Sequence, residues 1–431
     1  MRRIEKSTSV AVGSVVRDSL CFLVAVLFLV TSWSPALSSG LANARAIGMA
    51  GAYTSLAKGV ECTSFNPANL GLETYRQTGL QLFGLGLSIS NNSFSLDDYN
   101  HYTGATLTES EKDELLAKIP ADGLKVTADA EATAIGVGLG GLAVSLSALG
   151  AAEINLGRTP MELLLKGNAL ADTVNLDGMY GEGYAFAAFN VSYGQSLYKY
   201  YDRQLAVGGT FRYLRGLAYE EVTEIEGHAV TLPAGFEGLG TLTVRTATGG
   251  TGYAVDLGAS LRLSKSYTVG ITVFNFLSHI RWTSGTEERR YSFAFDSVTV
   301  ANMNADSIVT STDTTVAIGS FVTTLPSTIK AGLAKTTGSL LWAVDWEQGF
   351  RRGAGISTRP RLSAGAEYRL LHFVPLRAGF AVGGKPGTTY AAGIGFAFAP
   401  VTIDVGAANY NAITGSFGKG LNLAVTCGIR F

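Results

Sequence analysis

The sequence predicts an all-β fold: a transmembrane, antiparallel, up-and-down β-barrel of about fourteen strands, with an N-terminal segment filling its lumen. Three observations predict it. Apolar and polar residues alternate with period two over many segments of about ten residues, the repeat of a strand with two unlike faces. Glycine is abundant (53 of 431 residues), charged residues are scarce at 16% and aromatics reach 10%. Links between the alternating segments are short and long by turns, as in bacterial outer-membrane barrels.

The same composition excludes other classes. Disorder needs low hydrophobicity and high net charge, and this chain is 47% hydrophobic with a formal charge of −1. No Gly-X-Y period suggests a collagen-like chain. No Lys/Arg cluster marks a nucleic-acid partner.

Residues 1–39 read as a secretory signal. Arg2, Arg3, Lys6 and Arg17 precede an apolar run from Leu20 to Val30, and small residues follow at Ala36, Ser38, Ser39 and Gly40. Cleavage is expected between Ser38 and Gly40. The competing reading is an uncleaved helix, but Ser19 to Trp33 is short for about 30 Å of hydrocarbon. Cys21 opens the apolar run rather than following it, which argues against a lipoprotein signal. Beyond the signal only Cys62 and Cys427 remain, too few and too distant for a disulfide framework. Cys427 is expected to face lipid, so the two are expected to stay unpaired.

Residues 40–76 do not alternate. A segment this short cannot fold alone, and the barrel lumen is the surface available to bury it. The barrel itself is expected over 77–431. Its strands are predicted at 78–90, 124–138, 140–149, 184–195, 203–217, 250–263, 267–281, 327–335, 339–349, 359–370, 374–384, 387–398, 401–410 and 421–431. Fourteen is even, as single-chain bacterial barrels require. The last strand is the clearest. Leu421, Leu423, Val425, Cys427, Ile429 and Phe431 share one face, and the chain ends on an aromatic. Leu421, Leu423, Val425, Ile429 and Phe431 are therefore expected to meet outer-membrane lipid and to present the strand that the barrel-assembly machinery inserts. A soluble sandwich would also alternate. Aromatics at strand ends, small residues on the polar face and the alternation of link lengths favour the barrel.

Short links such as Ala399-Pro400, Ser264-Lys265-Ser266 and Thr336-Thr337-Gly338 fall on one side, the periplasmic one in this class. Long links fall on the other: 91–123, 150–183, 218–249 and 282–326. Thr108 to Lys118 reads as a capped helix and Pro160 to Leu165 as a short one. Their apolar residues, Leu115, Leu116, Met161, Leu163, Leu164 and Leu165, read first as packing faces. Segment 218–249, with Gly235, Gly238, Gly240 and Gly249 among several Thr, reads as flexible display.

The polar strand faces carry Arg212, Asp256, Arg262, Lys330, Asp345, Glu347, Arg361, Glu367, Arg369, Arg377, Asp404 and Arg430. An ion-selective pore would show one dominant sign. Mixed signs fit a lumen cross-linked to a plug by ion pairs.

No chemistry-bearing motif stands out, so no enzyme activity, cofactor or metal is expected. Gly136 to Gly141 matches G-x-G-x-x-G, but the chain continues as a strand rather than a helix. The four histidines, His101, His228, His279 and His372, are scattered.

The run Ala44-Arg45-Ala46-Ile47-Gly48-Met49-Ala50-Gly51-Ala52-Tyr53, followed by Asn66-Pro67-Ala68, resembles the outer-membrane long-chain fatty-acid transporter family, including the related porin-like proteins of type IX secretion. The resemblance is sharp over residues 41–72 and architectural elsewhere. It implies a bacterial outer-membrane location and a hatch in a fourteen-stranded barrel. Arg45, Gly48, Met49, Gly51, Asn66, Pro67 and Ala68 would lie in that hatch. It implies passive uptake of a hydrophobic small-molecule ligand, such as a long-chain fatty acid, with sideways exit through a gap in the wall. The alternative is a barrel acting as a platform or shuttle for a secretion or surface-attachment system, with a protein partner on the long loops. An open diffusion porin fits less well, because residues 40–76 need burial.

Overall fold

A computed structural model of the chain describes residues 40–75, 77–167, 173–176, 178–299, 309–353, 355–413 and 415–431. The predicted signal segment lies outside them. In chain order the strands are β1 (Gly79–Asn91), β2 (Leu124–Leu139), β3 (Leu142–Leu156), β4 (Thr173–Asn175), β5 (Tyr180–Tyr200), β6 (Arg203–Leu232), β7 (Gly235–Ala247), β8 (Gly249–Arg262), β9 (Tyr267–Ser284) and β10 (Glu287–Val298). They continue with β11 (Val309–Ala317), β12 (Phe321–Thr323), β13 (Thr328–Thr337), β14 (Leu340–Gly349), β15 (Arg361–Leu371), β16 (Val374–Gly383), β17 (Thr389–Phe398), β18 (Val401–Tyr410) and β19 (Gly420–Arg430).

Fourteen of these form one closed antiparallel barrel, and each overlaps a strand read from the sequence. β4, β7, β10, β11 and β12 stand outside the ring, and β1 closes it on β19 from Gly79↔Arg430 to Ser90↔Gly420. Alternation produces this arrangement directly. Along β1, Leu85, Leu87 and Ile89 are about half exposed while Gly86 and Ser88 are buried. Large apolar side chains thus point out, and small or polar ones point into the lumen. Among the described residues no helix is long and apolar enough to cross a membrane; strands do the crossing.

The long links differ from expectation. β6 runs on past the barrel and pairs with β7, β7 pairs with β10, and β10 with β11. Segments 218–249 and 282–326, read as loops and the first as flexible display, thus contribute a β-sheet that continues the wall. The reason is physical: β11, exposed along Thr310 to Ala317, has no lipid or core on either face to impose apolar alternation, and in β7 frequent Gly and Thr dilute it.

The helices are α1 (Ala44–Gly48), α2 (Leu96–Tyr102), α3 (Glu109–Lys118) and α4 (Arg158–Lys166). Thr108 caps α3 through a reciprocal box with Glu111, which satisfies two otherwise orphaned donors. Leu116, Ile119 and Leu124 form a small core that receives Met161 and Leu165 of α4, so three of the six apolar loop residues pack in one cluster. Gly136 to Gly141 ends β2 and turns into β3 through Gly140 at φ +66°. Both described cysteines are free. Cys427 keeps the outward register but is buried rather than lipid-facing. Its cross-strand neighbours, Phe83 and Ile403, are larger and cover it.

Candidate functional site

Residues 40–75 lie inside the barrel. They form α1 and three 3-10 turns, Gly59–Thr63, Pro67–Gly71 and Glu73–Tyr75. Met49, Tyr53, Cys62, Asn66, Ala68 and Leu70 are almost completely buried. A short segment without a core of its own is held here by three kinds of contact.

The first is charge. Arg45 Nε lies 2.6 Å from Glu367 Oε2, and Arg377 Nε reaches the same oxygen at 2.8 Å. Arg377 also pairs with Asp404 at 2.7 Å. From Arg45 the chain of contacts continues through the Tyr53 hydroxyl (3.0 Å) to Glu61 (2.8 Å), which faces Arg430 at 3.5 Å. These are the mixed-sign lumen charges of the sequence, now paired to the inserted segment. Arg212 and Asp256, and Lys330 and Glu347, pair within the wall. Arg262, Arg361 and Arg369 form no ion pair among the described residues, Arg361 donating instead to the Ala50 carbonyl, Ser363 and Thr389. Arg262 bonds Thr74 and the Asp202 carbonyl at the short-turn rim, and Arg369 is exposed. They lie where the lumen opens to solvent.

The second is backbone capture by buried carboxylates. One oxygen of Glu131 accepts the N–H groups of Gly40, Leu41 and Ala42. Asp345 Oδ2 accepts those of Tyr53 and Thr54 at 2.9 and 2.8 Å. Thr426 accepts from Ala44 N–H and donates to the Ala42 carbonyl, both at 2.9 Å. Buried backbone groups need such partners. Asn66 caps the turn that Pro67 opens: its Oδ1 accepts from Ala68 N–H at 3.0 Å, and its Nδ2 donates to Ser260 at 3.0 Å. The local capping role read from Asn-Pro is therefore real.

The third is close approach at glycines. Gly365 and Gly379 are cross-strand partners, and Met49 backbone lies directly on both. Gly194 and Gly208 are likewise paired and receive Pro67. Gly48 packs on Gly393. Gly51, at φ +86°, has open space beside it. Leu421, Leu423 and Val425 are exposed on the outer wall, Ile429 is partly covered and Phe431 is exposed.

The segment divides the lumen. On the long-loop side a cleft open to solvent is floored by Leu41, Ile47, Ala50 and Phe65. On the short-turn side a smaller cleft is lined by Arg45, Lys58, Glu61 and Asp404. Burial, with Arg45 nearby, lowers Lys58 to about 8, and burial pushes the Cys62 thiol well up. No group of three or more His, Cys, Asp or Glu among the described residues could hold a metal.

Two wall features escaped the sequence reading. The first is an aromatic cluster at the long-loop end: Trp282 is fully buried between Tyr219 (5.2 Å) and Phe186 (5.7 Å), with Tyr184 and Phe321 around it. The second lies beside it. The β8–β9 ladder breaks between Val255↔Leu277 and Leu257↔Val273, and Asn275 takes φ +51°. β13 pairs with β9 only as far as Phe274. Side chains bridge the seam instead: Asn275 Nδ2 donates to the Pro326 carbonyl at 2.9 Å, and Ser327 donates to the Asn275 carbonyl at 2.9 Å. Neither has a local signature, because each joins residues far apart in the chain.

Solved structures share this architecture. The Ralstonia pickettii toluene transporter TbuX aligns at 13% identity and TM-score 0.51, covering 90% of this chain and 98% of its own. The Pseudomonas putida toluene transporter TodX aligns at 11% and 0.51, covering 91% and 99%. A Pseudomonas aeruginosa FadL homologue aligns at 11% and 0.51, covering 93% and 100%. At these identities the likeness is one of fold, and that fold is the one the N-terminal motifs resemble. No curated protein matches the chain by sequence. The profile of the family of unknown function DUF5723 matches residues 67–248 and 236–407. With most of its barrel inside that match, the chain belongs to family DUF5723.

Proposed function

We propose that the protein is an outer-membrane channel for passive uptake of hydrophobic small molecules, long-chain fatty acids among the classes to test, with residues 40–75 as its hatch. The observation that carries this reading is the filled lumen: an apolar-skinned barrel whose two clefts are separated by a segment held by ion pairs and hydrogen bonds. An open porin has no use for such a segment. The buried aromatic cluster around Trp282 packs the outer end of the wall, and the polar-bridged seam at Asn275 beside it is the proposed sideways exit. No step requires bond chemistry. Removal of residues 1–39 on export and insertion through the C-terminal strand by the barrel-assembly machinery complete the reading.

The test is uptake of labelled toluene and of a labelled long-chain fatty acid by cells with and without the gene. Faster uptake of one of them in the presence of the protein is expected. Unchanged uptake of every hydrophobic compound tried overturns the reading.

One observation favours a second role. β11 is exposed along Thr310 to Ala317 and pairs on one edge with β10. An exposed strand edge is a template for a partner strand, as a platform for a secretion or surface-attachment system would need. A stoichiometric partner recovered from native membranes, and lost on deleting 309–317, would support it.

A further inference from the structure

Six carboxylates are buried among the described residues: Glu131, Glu153, Asp256, Asp345, Glu367 and Asp404. Four of them touch a cation. Glu153 meets Lys385 and Arg352, Asp256 meets Arg212, Glu367 meets Arg45 and Arg377, and Asp404 meets Arg377. Asp345 has the charge of Lys330 two positions along the strand pair. Glu131, 3% exposed, forms no ion pair among the described residues. Arg212, whose charge reaches it, is bonded to Asp256 through Nε at 3.0 Å and through Nη2. Taking a carboxylate out of water without a paired cation is costly.

What Glu131 does hold is the start of the inserted segment. Its Oε2 accepts from the N–H groups of Gly40 at 2.8 Å, Leu41 at 2.7 Å and Ala42 at 3.3 Å, and its Oε1 takes no donor from a described residue. The bed fits this stretch of backbone closely. Gly86 is the cross-strand partner of Glu131, and a Cβ on it would overlap the Leu41 carbonyl, as one on Gly84 would crowd that of Ala42. Gly40 itself takes φ +96°, and a Cβ on it would run into the Phe65 ring, so the position suits glycine alone. Gly40 also lines the long-loop cleft. A leader still joined to it would have to leave through that cleft, carrying its apolar run from Leu20 to Val30 into water.

We infer that processing supplies the missing cation: the leader is cut at the Ser39–Gly40 bond, and Glu131 seats the new N-terminal ammonium on Gly40. Water adds across that peptide bond, with a leader peptidase of the cell envelope as catalyst. Ser39, a small residue of the kind such cuts follow, leaves with the carboxylate, and the Gly40 nitrogen becomes an ammonium. One N–H donor thereby becomes three. Its nitrogen already stands 2.8 Å from Oε2, and a second donor is available to Oε1. A charge-assisted bond replaces a neutral one. Export then completes the seat, because the inserted segment is fully pinned only on a chain whose leader is gone. The inference rests on reading residues 1–39 as a removed leader, and the experiment below separates the two.

The test expresses the full chain with its leader and purifies the folded barrel from outer membranes in detergent. Its intact mass should place the first residue at Gly40. An amine-reactive ester at neutral pH then reports on the α-amine, with peptide mapping to separate that label from labelled lysines. A carboxylate in contact favours the protonated, unreactive amine by about tenfold or more. The α-amine should therefore label at least about tenfold more slowly in the folded barrel than in the unfolded chain. Glu131→Gln should remove most of that protection, and Glu131→Asp should keep part of it. The comparison of folded with unfolded parent needs no variant and stands where a substitution prevents folding. Equal labelling of folded and unfolded parent, or undiminished protection in folded Glu131→Gln, overturns the seat and leaves the leader reading intact. A processed chain that starts at another residue also overturns the seat alone. A folded barrel that keeps residues 1–39 overturns both.

Discussion

Gly379 faces Met49 so closely that a Cβ on the glycine would stand 2.4 Å from the Met49 carbonyl carbon. That atom is backbone and cannot swing aside. Its cross-strand partner Gly365 presses on the same residue, so the two glycines form one groove for the inserted segment. Gly379→Ala should therefore unseat the segment locally, at a cost of about 1–3 kcal/mol or more for overpacking. In planar bilayers the variant should show larger and more frequent conductance steps than the parent. Gly319→Ala, with nothing within 4 Å of the added methyl, is the neutral control.

Glu367 serves two guanidiniums, Arg45 and Arg377, all three buried. Glu367→Gln strands Arg45 without a carboxylate, whereas Arg377 keeps Asp404. Breaking a buried pair by removing one partner costs about 3–5 kcal/mol. Conductance should rise, and trypsin should gain access to the N-terminal segment. Arg45→Met added to Glu367→Gln should restore part of the seating, because no uncompensated charge then remains on the segment. The opposite order, a double variant worse than either single one, would show that the pair is not the latch.

Lys58 titrates near 8 in the folded protein because burial, and then Arg45, disfavour its charge. A free lysine titrates near 10.4. Between these values the unfolded or unseated chain binds more protons than the folded one. Stability therefore rises with pH across that window. The temperature at which the folded barrel loses its fast gel mobility should climb from pH 8 to about 10, and Lys58→Met should flatten that part of the profile. A profile that falls across the same window in the parent but not in the variant would contradict the assigned burial.

Cys62 is completely buried, and its thiol donates to the Ala57 carbonyl at 3.4 Å. Burial raises its pKa well above the ordinary value, so little reactive thiolate forms at neutral pH. A maleimide should leave Cys62 unlabelled in the folded barrel and label both Cys62 and Cys427 after unfolding. Labelling of Cys62 without unfolding would instead measure how often the segment leaves its seat.

The barrel was legible because lipid is an unforgiving solvent. A strand with hydrocarbon on one face and a packed lumen on the other has to alternate, and β13 to β19 alternate almost without exception. The capping box of Thr108 and Glu111 and the mixed lumen charges were legible for similar local reasons. What stayed hidden is what only the folded ring creates. Gly365 and Gly379 are neighbours only after two strands pair. Glu131 gains its role by meeting Gly40, Leu41 and Ala42, some ninety residues earlier in the chain. Trp282 becomes part of an apolar cluster only when Tyr219 and Phe186 arrive from other strands. β11 was missed because a strand wet on both faces carries no two-residue period, and β7 because its Gly and Thr dilute the alternation.

The way residues 40–75 are anchored also dictates an order of assembly. The segment precedes the barrel, yet several of its partners come from the far end of the chain: Asp345, Glu367 and Thr426 lie 292, 322 and 382 positions from the residues they hold. Until β15 and β19 exist, Arg45 lacks its carboxylate and Ala44 its Thr426 acceptor, and contacts so distant in sequence form late. The last strand pairs with the first, so the wall shuts around a tail that must already be threaded between its open edges. A chain stopped before β15 should therefore carry its own leading segment loose and protease-sensitive, and ring closure and seating should be one event.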